Sequence, residues 1–266
     1  MRKDYAPLDG ADQAAGERYW TEQWDRRALA DDASAHVLAS DEYRIAGPFL
    51  DRLAPGARIL DGGCGLGHWT LHLASRGFDA VGIDISAATI HRLRERYPTH
   101  AFAVGDVQQT ALATASFDAY ISWGTFEHFE SGPAGCLREA HRILKPSGLL
   151  ILTVPFQNRR LLNHDRGELW DWDPFYDRRN GYPGPMAFYQ WRFTREELHR
   201  ELALQGFETL RIAPIHKSTG AHRWLTLDRG LRRGSMPYRI ARALATAFLP
   251  ATTIAHMLMA VTRRRP

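Results

Sequence analysis

The sequence predicts an α/β domain in which a mostly parallel sheet is covered by helices on both faces. Three observations predict it. Short apolar runs alternate with helix-like segments between Arg58 and Val154. The runs are nearly continuous in apolar residues, as expected of strands buried on both faces. A glycine cluster, Asp61 to Gly67, stands between the first run and the helix after it, where sheets of this kind bind ligands.

The elements follow in order. The stretch up to Leu53 reads as helical, with Tyr19, Trp20 and Trp24 at helical spacing, and residues 1–54 are expected to form an N-terminal helical cap. Pro55-Gly56 is a turn signal, after which residues 55–266 read as the α/β domain. Arg58 to Leu60 is the first strand, and His68 to Arg76 is a helix closed by Gly77. Ala80 to Ile85 is the second strand, with Asp84 at its end. Ser86 can cap a helix that runs to Tyr97 and stops at Pro98. Ala101 to Val104 and Phe117 to Trp123 are the third and fourth strands. Pro133 opens a helix through Leu144, Lys145-Pro146-Ser147-Gly148 reads as a turn, and Leu149 to Val154 is the fifth strand. Residues 157–193 break the rhythm with aromatics, glycine and proline, and read as an irregular aromatic cap insertion. Thr194 to Glu197 is a capping box that starts a helix. Phe207 to Ile215 and His256 to Thr262 supply the sixth and seventh strands.

The chain has 266 residues, 44% hydrophobic and 24% charged, enough apolar mass for a real core. Cys64 and Cys136 fit neither a metal framework nor a disulfide scaffold, and the polar stretch Met1 to Trp20 has no apolar run of the kind a secretory signal needs. A reduced, cytoplasmic setting is expected. The net charge of +4 is unevenly spread. From Lys217 to Pro266 the only acid is Asp228, against Lys217, Arg223, Arg229, Arg232, Arg233, Arg239, Arg242 and Arg263 to Arg265. Between Tyr238 and Phe248, Ile240, Leu244 and Phe248 share a helical face opposite Arg239 and Arg242. The ordinary expectation is a surface helix packed on the domain through that apolar face. The alternative is peripheral contact with an anionic membrane. Lysine occurs only at positions 3, 145 and 217, so a general preference for arginine also accounts for part of the asymmetry.

Chemistry is carried first by Asp61-Gly62-Gly63-Cys64-Gly65-Leu66-Gly67. Glycines there let the backbone turn sharply and approach a ligand with no Cβ in the way. A dinucleotide site needs a third glycine where His68 stands, so an oxidoreductase of that type is disfavoured. Asp84 is placed to accept hydrogen bonds from both hydroxyls of a ribose. The glycine cluster, Asp84, Asp106 and Trp123 all fall at the carboxyl ends of strands.

These segments, with Val81 to Asp84, Gly105-Asp106-Val107, Phe117 to Phe129 and Arg142 to Leu150, resemble the successive motifs of class I S-adenosylmethionine-dependent methyltransferases of the small-molecule type. The resemblance covers about residues 55–155 and extends weakly to the last two strands. It implies a Rossmann-like three-layer sandwich, a seven-stranded sheet with an antiparallel terminal hairpin, and S-adenosyl-L-methionine as cofactor. By the resemblance, Asp61, Gly63, Gly65 and Gly67 belong to the loop that lines the methionine part, and Asp84 binds ribose. Ile85, Asp106 and Val107 face the adenine, while Ser122 and Trp123 wall the site near the sulfonium.

Methyl transfer from a sulfonium needs a close, collinear nucleophile, and a hydroxyl nucleophile also benefits from a base. His128, within Phe126-Glu127-His128-Phe129, is the candidate base, or else a residue that positions the acceptor. Tyr19 on one side and Trp170, Trp172, Tyr189 and Trp191 on the other are candidate lid residues, suited to an acceptor with a ring or a lipid-like part. The carboxylates and histidine between His164 and Asp173 match no ligand motif, and no metal is expected. The acceptor is expected to be a small molecule methylated on oxygen, with an RNA methyltransferase as the enzyme alternative. No RNA-binding module is evident, so no nucleic-acid partner is expected. A non-catalytic cofactor-binding module remains the alternative from another class.

Overall fold

The computed structural model describes residues 1–7, 16–27, 33–166, 184 and 186–266. In chain order the elements begin with β1 (Arg2–Pro7), α1 (Glu17–Asp25), α2 (Ala33–Leu38) and α3 (Asp41–Leu50). The α/β alternation follows: β2 (Arg58–Gly62), α4 (His68–Ser75), β3 (Asp79–Asp84), α5 (Ala87–Arg96), β4 (Ala101–Val104), β5 (Phe117–Trp123), α6 (Ala134–Ile143) and β6 (Leu144–Pro155). The remainder comprises α7 (Arg159–Arg166), β7 (Met186–Arg192), α8 (Arg195–Leu204), β8 (Phe207–Ile215), α9 (Lys217–Arg223), α10 (Met236–Phe248), α11 (Ala251–Ile254) and β9 (Met257–Arg264).

Seven strands form one sheet in the order β4-β3-β2-β5-β6-β9-β8. The first five run parallel, and β9 pairs antiparallel with both β6 and β8, which makes the terminal hairpin. Side chains alternate across a strand, so neighbouring apolar residues feed two cores. Leu60, Tyr120, Leu150 and Leu152 join the core on one face of the sheet with Phe126, Leu137 and Phe207. Ile59, Ala119, Ile121 and Ile151 join the other core, with Val37, Ile45, Leu50 and Trp69. This is the expected three-layer arrangement. Local signals hold the helices: Ser86 Oγ accepts from the Thr89 N–H, and Thr194 and Glu197 cap α8 reciprocally.

Three expectations require correction. The N-terminal stretch is not helical throughout, because β1 opens it and pairs antiparallel with β7, Arg2 opposite Arg192. A remote partner makes this polar segment a strand; Arg192 Nε donates to Asp4 Oδ1 at 2.8 Å across the pair. Consequently the insertion 157–193 is not wholly irregular, since it contains α7 and ends in β7. Finally, Lys145 to Gly148 lies within β6 as an irregularity with Ser147 at φ 63, rather than ending a helix before a separate strand.

Candidate active site

The carboxyl ends of β2, β3 and β5 open into a cavity of about 480 Å³, in the range of small-molecule sites. Asp61, Gly63, Gly65, Asp84, Ile85, Asp106, Val107, Trp123 and His128 line it together. The loop after β2 is pinned to its neighbour strand: the N–H groups of Gly63 and Cys64 both donate to the Ile83 carbonyl, at 2.8 and 2.9 Å. Gly65 has φ +49, and a Cβ there would come within 2.8 Å of the Trp24 ring. The loop is therefore closely approached from the α1 side as well, a position that tolerates only glycine.

Two buried carboxylates stand behind the loop. Asp84 accepts from the Gly65 N–H and the Ser86 N–H, each at 2.9 Å, which fixes its plane. Burial raises its pKa, opposed by those backbone bonds. Asp61, 1% exposed, accepts from the N–H and hydroxyl of Thr70 at 3.1 and 2.8 Å, both on Oδ2. Its Oδ1 is buried without a partner. Burial pushes the Asp61 carboxyl up to about 7, the Thr70 bonds oppose this, and the nearby Asp84 adds to it. An unsatisfied buried oxygen on such a carboxylate calls for a cationic donor from a ligand.

Gly67 and Ser122 are placed elsewhere than expected. Gly67 makes the left-handed turn into α4, and its Cα faces Phe102 and Leu93 in the core, so it serves packing and not the cavity. Ser122 is buried and donates to the Gly62 carbonyl at 2.8 Å, which fastens β5 to the end of β2 beneath the cavity floor. Gly62 itself is packed against Tyr120, whose ring and hydroxyl occupy the space a Cβ would need.

His128 sits in a 3₁₀ turn, Phe126–His128, that follows β5. Its Nδ1 lies 2.8 Å from the Tyr189 carbonyl. A carbonyl only accepts, so Nδ1 carries the proton and Nε2 is the basic nitrogen. Burial drives the His128 pKa down to about 4, against the carbonyls of Tyr189 and Gly124. The imidazole is therefore neutral near pH 7. Its neighbour Glu127 is pushed up to about 8 by burial and is neutral at the same pH.

Aromatic rings surround this histidine. Trp20 meets His128 edge-on at 4.9 Å, Tyr189 at 5.2 Å, and Tyr19 lies 6.5 Å from Tyr189. Trp24 stacks on Trp20 at 6.0 Å. Trp191 is not at the cavity; its indole N–H donates to the Phe129 carbonyl at 3.1 Å and its ring packs on the core behind the 3₁₀ turn. Trp170 and Trp172 lie outside the described residues, as do the carboxylates at 168, 171 and 173.

Residues not assigned to the site from sequence include Trp24, Thr125 and a polar corner of His36, Ser40, Glu42 and His68. His36 and His68 stack at 4.6 Å, and Glu42 is paired with His216 at 2.9 Å. The i, i+4 spacing of Trp20 and Trp24 was a usable signal. The corner had none, because α2 and α3 reach the cavity only through packing on the sheet.

The helix α1 roofs the cavity through polar contacts with α5. Thr21 Oγ1 lies 2.7 Å from Ser86 Oγ, Glu17 accepts from the Ala87 N–H at 3.2 Å, and Arg92 reaches Asp25 at 3.2 Å. None of its residues is fully buried.

Residues 38–212 match the family model described as a methyltransferase domain. Over 129 residues the chain is 27% identical to the malonyl-[acyl-carrier protein] O-methyltransferase of Serratia marcescens, covering 48% of this chain and 49% of that protein. Over 146 residues it is 30% identical to the magnesium-protoporphyrin O-methyltransferase of Rhodobacter capsulatus, covering 51% of this chain and 64% of that protein. The chain thus spans from about half to under two-thirds of the length of these relatives. A solved structure of Haemonchus contortus phosphoethanolamine N-methyltransferase 2 in complex with S-adenosyl-L-methionine superposes with TM-score 0.57 at 16% identity, over 93% of this chain and 60% of that one. At that identity the likeness establishes the fold.

Proposed function

The chain belongs to the class I S-adenosylmethionine-dependent methyltransferases, and from that premise we propose that it transfers a methyl group from S-adenosyl-L-methionine to an oxygen of a small acceptor with a ring or a lipid-like part. The observation that carries the proposal is one cavity holding both a cofactor cradle and a neutral, oriented histidine. The residues fit the cofactor. Asp61 Oδ1 is a buried carboxyl oxygen without a partner, suited in its ionised form to an amino-acid ammonium. The left-handed backbone at Gly63 and Gly65 lines the cavity, where it is at hand for the methionine part. Asp84 is fixed for ribose hydroxyls, and Ile85, Asp106 and Val107 are at hand for the adenine.

When bound, the cofactor supplies an electrophilic methyl on a sulfonium with a neutral leaving group. The chain's own residues then exclude water, position the acceptor and accept a proton. The Tyr189 carbonyl holds the imidazole in the tautomer with Nε2 basic, and an acceptor hydroxyl would donate to that atom. A conjugate acid with a pKa near 4 makes a weak base. It suits an acidic hydroxyl such as a phenol better than an alcohol, and a carboxyl group, already ionised near pH 7, would need no base. The names of the two relatives described above place methylation on oxygen, which supports this reading. Trp20, Trp24 and Tyr189 offer aromatic surface for the apolar part of the acceptor.

The test is incubation with methyl-labelled S-adenosylmethionine and a panel of phenols, quinols, carboxylic acids, amines and bulk tRNA. Label on an acidic oxygen, lost in His128→Ala, is the expected result. Transfer to amines alone or to tRNA alone would overturn the acceptor assignment. No transfer by a protein that binds the cofactor would favour a non-catalytic module.

A further inference from the structure

The apolar face of α10 is not packed on the domain, contrary to the ordinary expectation for a surface helix. The helix is seated by its other side. Tyr238, 4% exposed, meets His222 Nδ1 at 2.7 Å, and Ala245 packs with Ala221 and Ile254. Side chains recur on one helical face every three to four residues, so this seating turns the opposite face outward. Met236, Ile240, Leu244 and Phe248 are 64, 55, 54 and 79% exposed. Four of the ten exposed large hydrophobics among the described residues are therefore on one stripe, roughly 18 Å long at the helical rise. Scattered exposed apolar residues need no explanation, but a continuous row of this kind marks a contact surface.

Charge selects the partner. Arg229, Arg232, Arg233 and Arg239 are exposed on α10 and the turn before it, while Arg242 is turned toward α9, where it donates to Ser218 at 2.6 Å. The only acid between Lys217 and Pro266, Asp228, is engaged by Arg160 at 2.6 Å. An apolar stripe with Arg239 at its margin and Arg232 and Arg233 in the turn before it matches the interface of an anionic bilayer, with acyl chains below and phosphates beside. No helix among the described residues is long and apolar enough to cross a membrane, so α10 would lie on the surface.

Topology places this helix usefully. Met257, the first residue of β9, pairs with Pro155 at the end of β6 and with Ile215 at the end of β8. The segment carrying α9, α10 and α11 therefore leaves the sheet at the edge where β3 and β5 deliver Asp84 and Trp123 to the cavity.

We propose that α10 docks the protein onto an anionic membrane surface, with Met236, Ile240, Leu244 and Phe248 inserted and the flanking arginines on the phosphates. Docking there would hold the edge of the sheet that bears the cavity next to the bilayer.

The experiment is sedimentation of the full chain with vesicles of phosphatidylcholine alone or with about 30 mol% phosphatidylglycerol. The wild type should partition at least about tenfold more strongly into the anionic vesicles, and raised salt should weaken binding. Leu244→Glu with Phe248→Glu should abolish it. Arg232→Gln, Arg233→Gln and Arg239→Gln together should weaken it by up to about fivefold per arginine. All five positions are exposed, and equal thermal midpoints and cofactor affinity will show that the variants are folded. Negligible binding to both vesicles would overturn the proposal, as would binding that survives the glutamates. So would a concentration-dependent dimer, seen by sedimentation velocity without lipid, that the glutamates dissolve. That outcome would make the stripe a contact between two copies of the chain.

Discussion

Replacing Asp61 by asparagine probes the cofactor end of the cavity at a single atom. The side chain keeps its shape and an oxygen for the two Thr70 donors, but loses the charge that its buried, unpartnered Oδ1 presents. In the free protein burial holds the carboxyl near pKa 7 against an ordinary 3.8, so it is mostly protonated at mildly acidic pH. An ammonium group requires the ionised form, so binding releases a proton below pH 7. The dissociation constant should then fall about tenfold, or ~1.4 kcal/mol, for each unit of pH gained up to about 7, and level off above it. In Asp61→Asn the slope should vanish, and binding at pH 8 should be about 10- to 150-fold weaker, the value of one charge-assisted hydrogen bond of ~1.5–3 kcal/mol. Stability without ligand moves the other way. A carboxyl whose pKa is raised by folding binds more protons in the native state between 3.8 and about 7, so its contribution is greatest at low pH and is lost as pH rises through that window. Asp61→Asn should therefore be at least as stable as wild type at pH 8. Calorimetric titration with S-adenosylmethionine from about pH 5.5 to about 8.5, in two buffers of different ionisation enthalpy, measures both affinity and proton release. A flat wild-type profile, or the same slope in the variant, would refute the reasoning.

Other perturbations reach the rest of the structure. His128→Ala should lower kcat about 100-fold with cofactor affinity unchanged, and the wild-type acidic limb should lie near 4. A limb near 6.5, or one that persists in the variant, would remove His128 from proton transfer. Glu139 is held down to about 2 by Arg142, below its ordinary 4.5, so its stabilisation is present above 4.5 and lost as pH falls toward 2. Glu139→Gln should cost about 1–2 kcal/mol at pH 7, allowing for solvent screening around Arg142, and its urea midpoint should converge with wild type in acid. Gly62→Ala forces a methyl into the Tyr120 ring and should cost about 1–3 kcal/mol. An unchanged thermal midpoint would show that Tyr120 moves aside freely.

The parallel half of the sheet was legible because strands buried on both faces leave uninterrupted apolar runs, as at Leu150 to Val154, and because Ser86 and Thr194 cap their helices by local chemistry. The cavity-lining positions Gly63, Gly65, Asp84 and Asp106 follow from the same rule, since they stand at strand ends. What was not legible depends on partners remote in sequence. Arg2 to Pro7 has no strand pattern of its own and becomes a strand only beside Met186 to Arg192. Trp191 stands two residues from Tyr189 and in a regular strand would share its side, but a β-bulge leaves Tyr189 without a partner on β1 and breaks the alternation, so that only Tyr189 meets His128. Ser122 differs from Trp123 because adjacent residues of a strand point to opposite sides. In α10 the amphipathic pattern was plain, but amphipathicity does not say which face is seated; Tyr238 and Ala245 decide that.

A crystal structure of the chain with S-adenosylhomocysteine tests the central claim most directly. The account predicts both ribose hydroxyls donating to the Asp84 carboxylate, the amino group beside Asp61 Oδ1, the adenine between Ile85 and Val107, and the sulfur facing the side of the cavity that holds His128. A nucleoside bound with its ribose out of hydrogen-bond reach of Asp84, or outside this cavity, would contradict it.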